Sequence, residues 1–392
     1  MPLSGAAGVE RKSVQWSGVS LVGSFEQLPK LMPTVFDLYI NNAEFRKQFD
    51  LHVSQNLVAV SKNHPSLEIL IDSQMRQGDD SYALTLALAG ESVTSVTIEQ
   101  TVFVDYTIQA LVLVANVSKE PSRQRIVTSY PVQVSFQEAY SDGRVPSPQD
   151  RVGAISKIMM GTAGRANLVS EWSRRLSEIQ LREREVFITV APLRILSDAE
   201  KQGGFRKDQL ESLAFKVSSV VEGNISKAAG IPIVPYSSEG SLNEMTLSFA
   251  DRGIRAFRKP DPSYLFQINV FGLGSKALEE AMTREKKFAV AYGGGFEVEY
   301  FYINPDKNRE KLFSVRLQSV QSMSYLGRSR DSRKASDSDM FSRLISAFSD
   351  ELSSNLIPAN LKWIERSKAS SEPRSPQEIV NLISTKLPAP KK

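Results

Sequence analysis

From Tyr264 to Arg366 the chain reads, in order, YLFQINVFG (264–272), FEVEYFYIN (296–304), KLFSVRLQSVQSMSY (311–325) and DMFSRLISAFSDELSSNLIPANLKWIE (339–365). The first three segments read as strands and the last as a closing helix. The same order occurs between Tyr82 and Ile179. There the strands are YALTLALAG, IQALVLVANV and RIVTSYPVQVSFQEAY, and the helix is DRVGAISKIMMGTAGRANLVSEWSRRLSEI. This match of element order points to two copies of one α/β unit.

Each triple is preceded by a strand–helix–strand signal. In the first half, Val19 to Phe25 is a strand. Val35, Leu38, Tyr39, Phe45, Phe49, Val53 and Leu57 then follow at three- and four-residue spacing, and LEILID (67–72) is a short buried strand. Pro33 suits a first helical turn, and His64-Pro65 ends the helix. In the second half, VFITVAPLRIL (186–196) is the strand. Lys207 to Ala228 is the helix, with Leu210, Leu213, Val217, Val220, Val221 and Ile225 inward, and IPIVPY (231–236) matches LEILID. Such connections give parallel, right-handed pairing. The insertion SSEGSLNEMTLSFADRGIRAFRKPDPS (237–263) has no counterpart and contains a helix signal from Leu242 to Ala250.

The predicted fold is α/β (α+β): two tandem similar domains, each a mixed β-sheet with helices packed on one face. Residues 1–18 read as a flexible N-terminus, 19–180 as the first domain, 181–366 as the second and 367–392 as a flexible C-terminal tail. That tail holds one amphipathic candidate, Pro376 to Leu387. A chain of 392 residues suits this division, because single cores rarely grow past about 250–300 residues.

Turn chemistry supports the strand assignments. Ala89-Gly90 ends the first strand of its triple, and NVSKEPSR (116–123) is a hairpin loop. Val132, Val134 and Phe136 alternate with Gln133, Ser135 and Gln137, as in a strand with one wet face. Tyr130-Pro131 marks an edge or a bulge. The helix after Asp150 turns Val152, Ile155, Ile158 and Met159 to one side. Glu297 and Glu299 alternate with Phe296, Val298 and Tyr300, which reads as exposed strand polarity.

Composition narrows the function classes. The net charge of +4 is small against 48 basic and 44 acidic side chains, so it permits a basic patch without requiring a nucleic-acid partner. The absence of cysteine excludes disulfides, thiolate chemistry and Cys-ligated zinc. No apolar run approaches the ~18–20 residues of a membrane span.

No catalytic, cofactor or metal signature stands out, and no ionisable cleft is predicted between the halves. His52 and His64, the only histidines, read as surface or turn residues. Gly293-Gly294-Gly295 is followed by a strand, so it lacks the helix N-terminus that would hold a phosphate and is read as a turn. Gly272-Leu273-Gly274 precedes a candidate helix, KALEEAMTREKK, but has no third glycine and no lysine-serine pair. Candidate contacts to an anionic partner are Arg252, Arg255, Arg258 and Lys259 in the insertion, with Arg328, Arg330 and Arg333 in RSRDSRKASDSD. The interleaved Asp331, Asp337 and Asp339 dilute that second cluster, and no aromatic residue sits among the cations to stack bases. Asp337 or Asp339 suits the cap of the last helix.

The order of a proline-ended strand (FITVAPLRIL), a helix, a short strand (IPIVPY), an aromatic-led strand (SYLFQINVFG), two long hairpin strands and a closing helix resembles a bacterial envelope superfamily. That group includes the TolB amino-terminal domain, the curli secretion lipoprotein and the lipoprotein activators of penicillin-binding proteins. The resemblance spans most of residues 186–366 and, more faintly, 19–179. It implies a non-enzymatic structural or adaptor role without cofactors, and partners that are other envelope proteins and further copies of the chain. It also implies a location in the periplasm or at the outer membrane. The cytoplasm stays open, since residues 1–16 show no charged leader followed by an apolar core. The alternative function is binding of nucleic acid or another anionic polymer through residues 252–259.

Overall fold

In the first half, strand β1 (Lys12–Val22) leads through two short helical turns, α1 (Leu28–Leu31) and α2 (Pro33–Phe36), into helix α3 (Ala43–Asn63). Asn42 caps α3 by accepting a hydrogen bond from the Phe45 amide at 3.0 Å. Strand β2 (Leu67–Leu70) follows, then three long antiparallel strands, β3 (Tyr82–Ile98), β4 (Thr101–Asn116) and β5 (Arg125–Tyr140), and helices α4 (Pro148–Met160) and α5 (Leu168–Glu178). The computed structural model describes residues 11–71, 81–98, 100–141, 143–162, 165–181, 186–234, 244–278, 287–306, 308–326 and 337–387.

The second half repeats this order. Strands β6 (Ile188–Val190) and β7 (Arg194–Ile195) precede helices α6 (Ser197–Gly203) and α7 (Lys207–Ala229). A hairpin, β8 (Glu244–Phe249) and β9 (Ile254–Arg258), comes before the long strands β10 (Tyr264–Leu278), β11 (Lys287–Ile303) and β12 (Arg309–Leu326). Helices α8 (Asp337–Leu356), α9 (Leu361–Ser367) and α10 (Pro376–Lys386) complete the chain.

Both sheets are mixed. In the first, β1 pairs parallel with β2 and β3, and β3–β4–β5 is antiparallel. In the second, β6 pairs parallel with β10, Ile188 bridges Ile233 in parallel, and β10–β11–β12 is antiparallel. The order β2-β1-β3-β4-β5 of the first is matched in the second by the Ile233 bridge, β6, β10, β11 and β12, and the first sheet adds β9 and β8. Alternation along each strand sets the core. Val104, Tyr106, Ile108 and Val112 of β4 meet Phe49, Val53, Ile155 and Trp172 from the helices on one face of the first sheet. Tyr292, Phe296, Val298 and Tyr300 of β11 meet Val217, Val221, Leu344 and Phe348 on the matching face of the second.

Several sequence expectations need correction. The boundary at residue 18 cuts through β1, which starts at Lys12 because Lys12 to Gln15 pair with β2. Gly90 does not end its strand. It sits at a bulge and β3 runs on to Ile98. The helix signal at Leu242 to Ala250 is overridden. Met245 and Leu247 point inward at strand period, and β8 pairs antiparallel with β1 while β9 touches β5 at Arg258–Arg125. The insertion of the second half therefore closes the first sheet into a barrel at one end, filled by Val22, Leu111, Leu113 and Phe257. No clean seam runs at residues 180/181.

Gly293, Gly294 and Gly295 lie inside β11 and are paired on both sides, so they form no turn. Gly295 leaves space for the Phe271 ring, and Gly294 for Phe296 and Leu344. Val152 is exposed, while Ile155, Ile158 and Met159 are buried as expected. Residues 367–387 of the tail are built rather than loose. Lys368 bridges Leu317 of β12, Ala369 donates to the Arg316 carbonyl at 3.1 Å, and α10 buries Ile379 and Ile383. Ser375 and Glu378 form a capping box that starts α10.

Candidate functional site

Helix α7 lies between the two sheets because its sequence carries two useful faces. Leu213, Val217, Val221 and Ile225 recur at helical spacing and bury against the second sheet. Ser212, Phe215, Ser219 and Glu222 lie on the opposite side and meet the first sheet, while Ser226 meets α5. The Ser219 hydroxyl donates to Gln109 Oε1 at 2.9 Å, and Gln109 Nε2 donates to Glu222 Oε2 at 3.4 Å. Ser92 and Ser212 share a hydrogen bond of 3.3 Å. Arg175 of α5 donates to Ser226 Oγ at 2.9 Å and lies over the Tyr130 ring. Phe215 sets its ring on Gly90. Most of this polar interface is paired, as burial of polar groups requires, but Arg175 Nε and Ser218 Oγ are buried without a hydrogen-bond partner among the described residues.

Toward the free ends of β3 and β4 the two sheets part and leave a groove of about 540 Å³. It is lined by Ser95, Asp105, Lys216, Asp339, Arg343 and Asp350, among others. Lys216 Nζ lies 3.5 Å from Asp105 Oδ2, and Gln137 donates to Asp105 Oδ1 at 2.8 Å. Surrounding protein raises the Asp350 carboxyl above its ordinary range; Lys216 draws it down and Asp105 pushes it up. The expectation of a junction without ionisable groups is thus corrected: packing α7 against β3 and β5, and α8 against β3, brings these charges together beside Asp105 of β4. An ion pair, Lys216–Asp105, lies among these charges, and the lining contains no histidine.

The outer face of the second sheet has no helix on it among the described residues. It carries a polar row across the strands. The Gln267 carboxamide, with its oxygen turned to Arg194, accepts from Nε and Nη1 at 3.0 Å each. Asn269 Nδ2 donates to Glu299 Oε2 at 2.8 Å, and Glu299 pairs with Lys311. Glu299 is therefore buried and paired, contrary to the exposed polarity expected of it. Glu297 accepts from Ser314 at 2.9 Å. Beyond this row the side chains become small, with Gly272 and Gly274 of β10, Gly293 and Gly295 of β11 and Val320 of β12, which is 66% exposed, between Gln318 and Lys276.

The predicted anionic contacts of the insertion lie on the β8–β9 hairpin and the residue after it. Arg252 sits at the β8–β9 turn with φ of 67°, Arg255 lies over the Phe249 ring at 5.8 Å, and Arg258 is 3.9 Å from Asp261. Lys259 is buried. The hairpin's job in the fold is closure of the first sheet. Arg328, Arg330 and Arg333 fall outside the described residues.

His64 is not a turn ornament. Its Nδ1 accepts from the amides of Ser66 (3.2 Å) and Leu67 (3.0 Å), and Nε2 faces the Leu176 carbonyl at 2.9 Å. Burial lowers its pKa, the Leu176 hydrogen bond raises it and Arg11 lowers it further. Among the described residues there is no group of three or more metal-ligating side chains, and no helix is long and apolar enough to cross a membrane.

No protein-family profile matches the chain, and no curated protein matches it. Among solved structures, it is similar to the hypothetical protein CT253 from Chlamydia trachomatis at 12% identity. That match covers 45% of this chain and 100% of the other, with a TM-score of 0.25. It is also similar to a minor lipoprotein from Acinetobacter baumannii at 11% identity, covering 53% of this chain and 100% of the other, with a TM-score of 0.20. No functional statement rests on likeness at this level.

Proposed function

We propose that the chain is a non-enzymatic structural or adaptor protein of a bacterial cell envelope, binding protein partners along its second sheet. One observation carries this reading. Residues Gln318 to Ser324 of β12 form a sheet edge that no described strand pairs with, and they contain neither a charge nor a proline. Natural edges are normally blunted by such residues, and an unblunted one is a template for an added strand. The free upper part of β5 differs: it carries Pro131 and Glu138. The first stretch of β12 also differs, since the segment after α9 covers it at Arg316 and Leu317. The envelope compartment comes from the order of elements in the repeated unit.

The test is a photo-crosslinking side chain placed at Ser322 in cells of the native host. Discrete adducts with another protein, abolished by Ser319→Pro, are expected. Absence of adducts at Ser322 and at every other position along Gln318 to Ser324 contradicts the proposal.

A further inference from the structure

We infer that the chain assembles head to tail with further copies of itself, the α3 helix of one copy seating on the outer face of the second sheet of the next. The contact already exists once inside the chain, where α7 covers the first sheet. The two units correspond at one constant offset: Phe49 with Leu213, Val53 with Val217, Leu57 with Val221 and, beyond the helices, Ile69 with Ile233. All eight are buried. At that offset Leu51 stands where Phe215 stands, and Val58 where Glu222 stands. Phe215 and Glu222 are spent on the first sheet. Leu51 and Val58 are 59% and 40% exposed.

The receiving surfaces correspond as well. Each first long strand has its bulge just before a glycine, between Leu88 and Gly90 and between Val270 and Gly272. Gly90 is opposed by Gln109 and then Gln133. Gly272 is opposed by Gly295 and then Gln318. Two residues on, Thr107 and Ser135 match Gly293 and Val320. The Phe215 ring fills the space above Gly90, whereas nothing beyond its own chain neighbours lies within 4 Å of a Cβ built on Gly272. Phe271, whose ring leans over Gly295, forms one wall of this open notch. Exposed Leu51, Val58 and Val320 thus lie on the donor and acceptor surfaces of one repeatable contact. Such a contact is heterologous, so it generates a ring or a filament.

The inference rests on the reading of the chain as a protein-binding assembly component and names one partner, a second copy. It is tested by sedimentation velocity on the full chain over a concentration series, with Leu51→Asp and Val320→Asp as variants. Both side chains are exposed, so folding is expected to persist and is checked by thermal unfolding. Wild type is expected to show concentration-dependent association, and each variant alone to lose it. An equal mixture of the two variants restores a dimer and stops there, because each copy keeps one intact surface. A wild type that stays monomeric throughout, or associates regardless of both substitutions, overturns the inference. So does a mixture that stays monomeric, which indicates a two-fold contact. If wild type is monomeric while the Ser322 probe still captures another protein, only this inference fails and the adaptor reading stands.

Discussion

The ring of Phe215 rests on the backbone of Gly90: a Cβ at that position would lie 2.1 Å from the ring's Cζ. Gly90 belongs to the first unit and Phe215 to the second, so this contact fixes how the two lie together. Gly90→Ala is expected to destabilise by about 1–3 kcal/mol, the usual cost of overpacking. Phe215→Ala is expected to cost about 2 kcal/mol through lost apolar burial. In the double variant the two costs should fall well short of their sum, because removing the ring removes the clash. Urea unfolding of the four proteins measures this coupling.

Gly272 is the counterpart of Gly90, and no residue beyond its chain neighbours lies within 4 Å of a Cβ built on it. Gly272→Ala is therefore expected to stay within about 0.5 kcal/mol of wild type in dilute solution, as surface changes do. The contrast between the two glycines separates a packing effect from any general intolerance of a methyl group at the bulge.

His64 ties the start of β2 to the end of α5 through three hydrogen bonds that need a neutral ring. Burial is the main cause of its lowered pKa. The unfolded chain therefore takes up the proton first as pH drops. The contribution of His64 is complete above the ordinary value of 6.5 and is lost as pH falls from there toward the lowered folded value. His64→Ala should cost about 1–3 kcal/mol well above that pH, from unsatisfied buried groups, and should flatten the stability slope below it. Thermal unfolding across a pH series reads both effects.

Glu372 pins the segment after α9 to β12. It accepts from the Arg316 amide at 2.9 Å and from Arg374 Nε at 2.6 Å. Burial works against its charge, but the hydrogen bonds from Arg374 and the Arg316 amide outweigh it and hold the carboxyl below its ordinary 4.5. Its contribution is present above 4.5 and is lost as pH falls through the depressed value. Glu372→Gln should cost about 1–3 kcal/mol at neutral pH. It should also speed hydrogen exchange in Arg316 and Ala369, where the segment lies on the strand.

Much of the fold was legible because alternation and helical spacing are local. The Phe136 and Tyr300 strands, the α3 and α7 helices and the order of elements all follow from period two or period three-to-four. The β8–β9 hairpin was missed although Met245 and Leu247 alternate with Thr246 and Ser248. Its apolar residues fill a barrel end contributed by the other half of the chain, which local reading does not see. Residues such as Ser219, Glu222 and Ser226 look like a solvated helix face, and only the tertiary structure shows them buried on Gln109 and Arg175. The three glycines of β11 resemble a turn by propensity, but two flanking strands hold them extended. His64 beside Pro65 gave no sign of the Leu176 carbonyl it reaches more than a hundred residues away.

The account turns on one asymmetry: α7 seals a face of the first sheet whose equivalent on the second lies open. The chain has no cysteine, so a single introduced thiol reports its own surroundings. Maleimide labelling of Thr107→Cys and Gly293→Cys in dilute native protein compares matched positions on the two faces. Labelling is predicted to be fast at residue 293 and to wait on unfolding at residue 107, which is 1% exposed. Equal rates at the two positions would contradict the account.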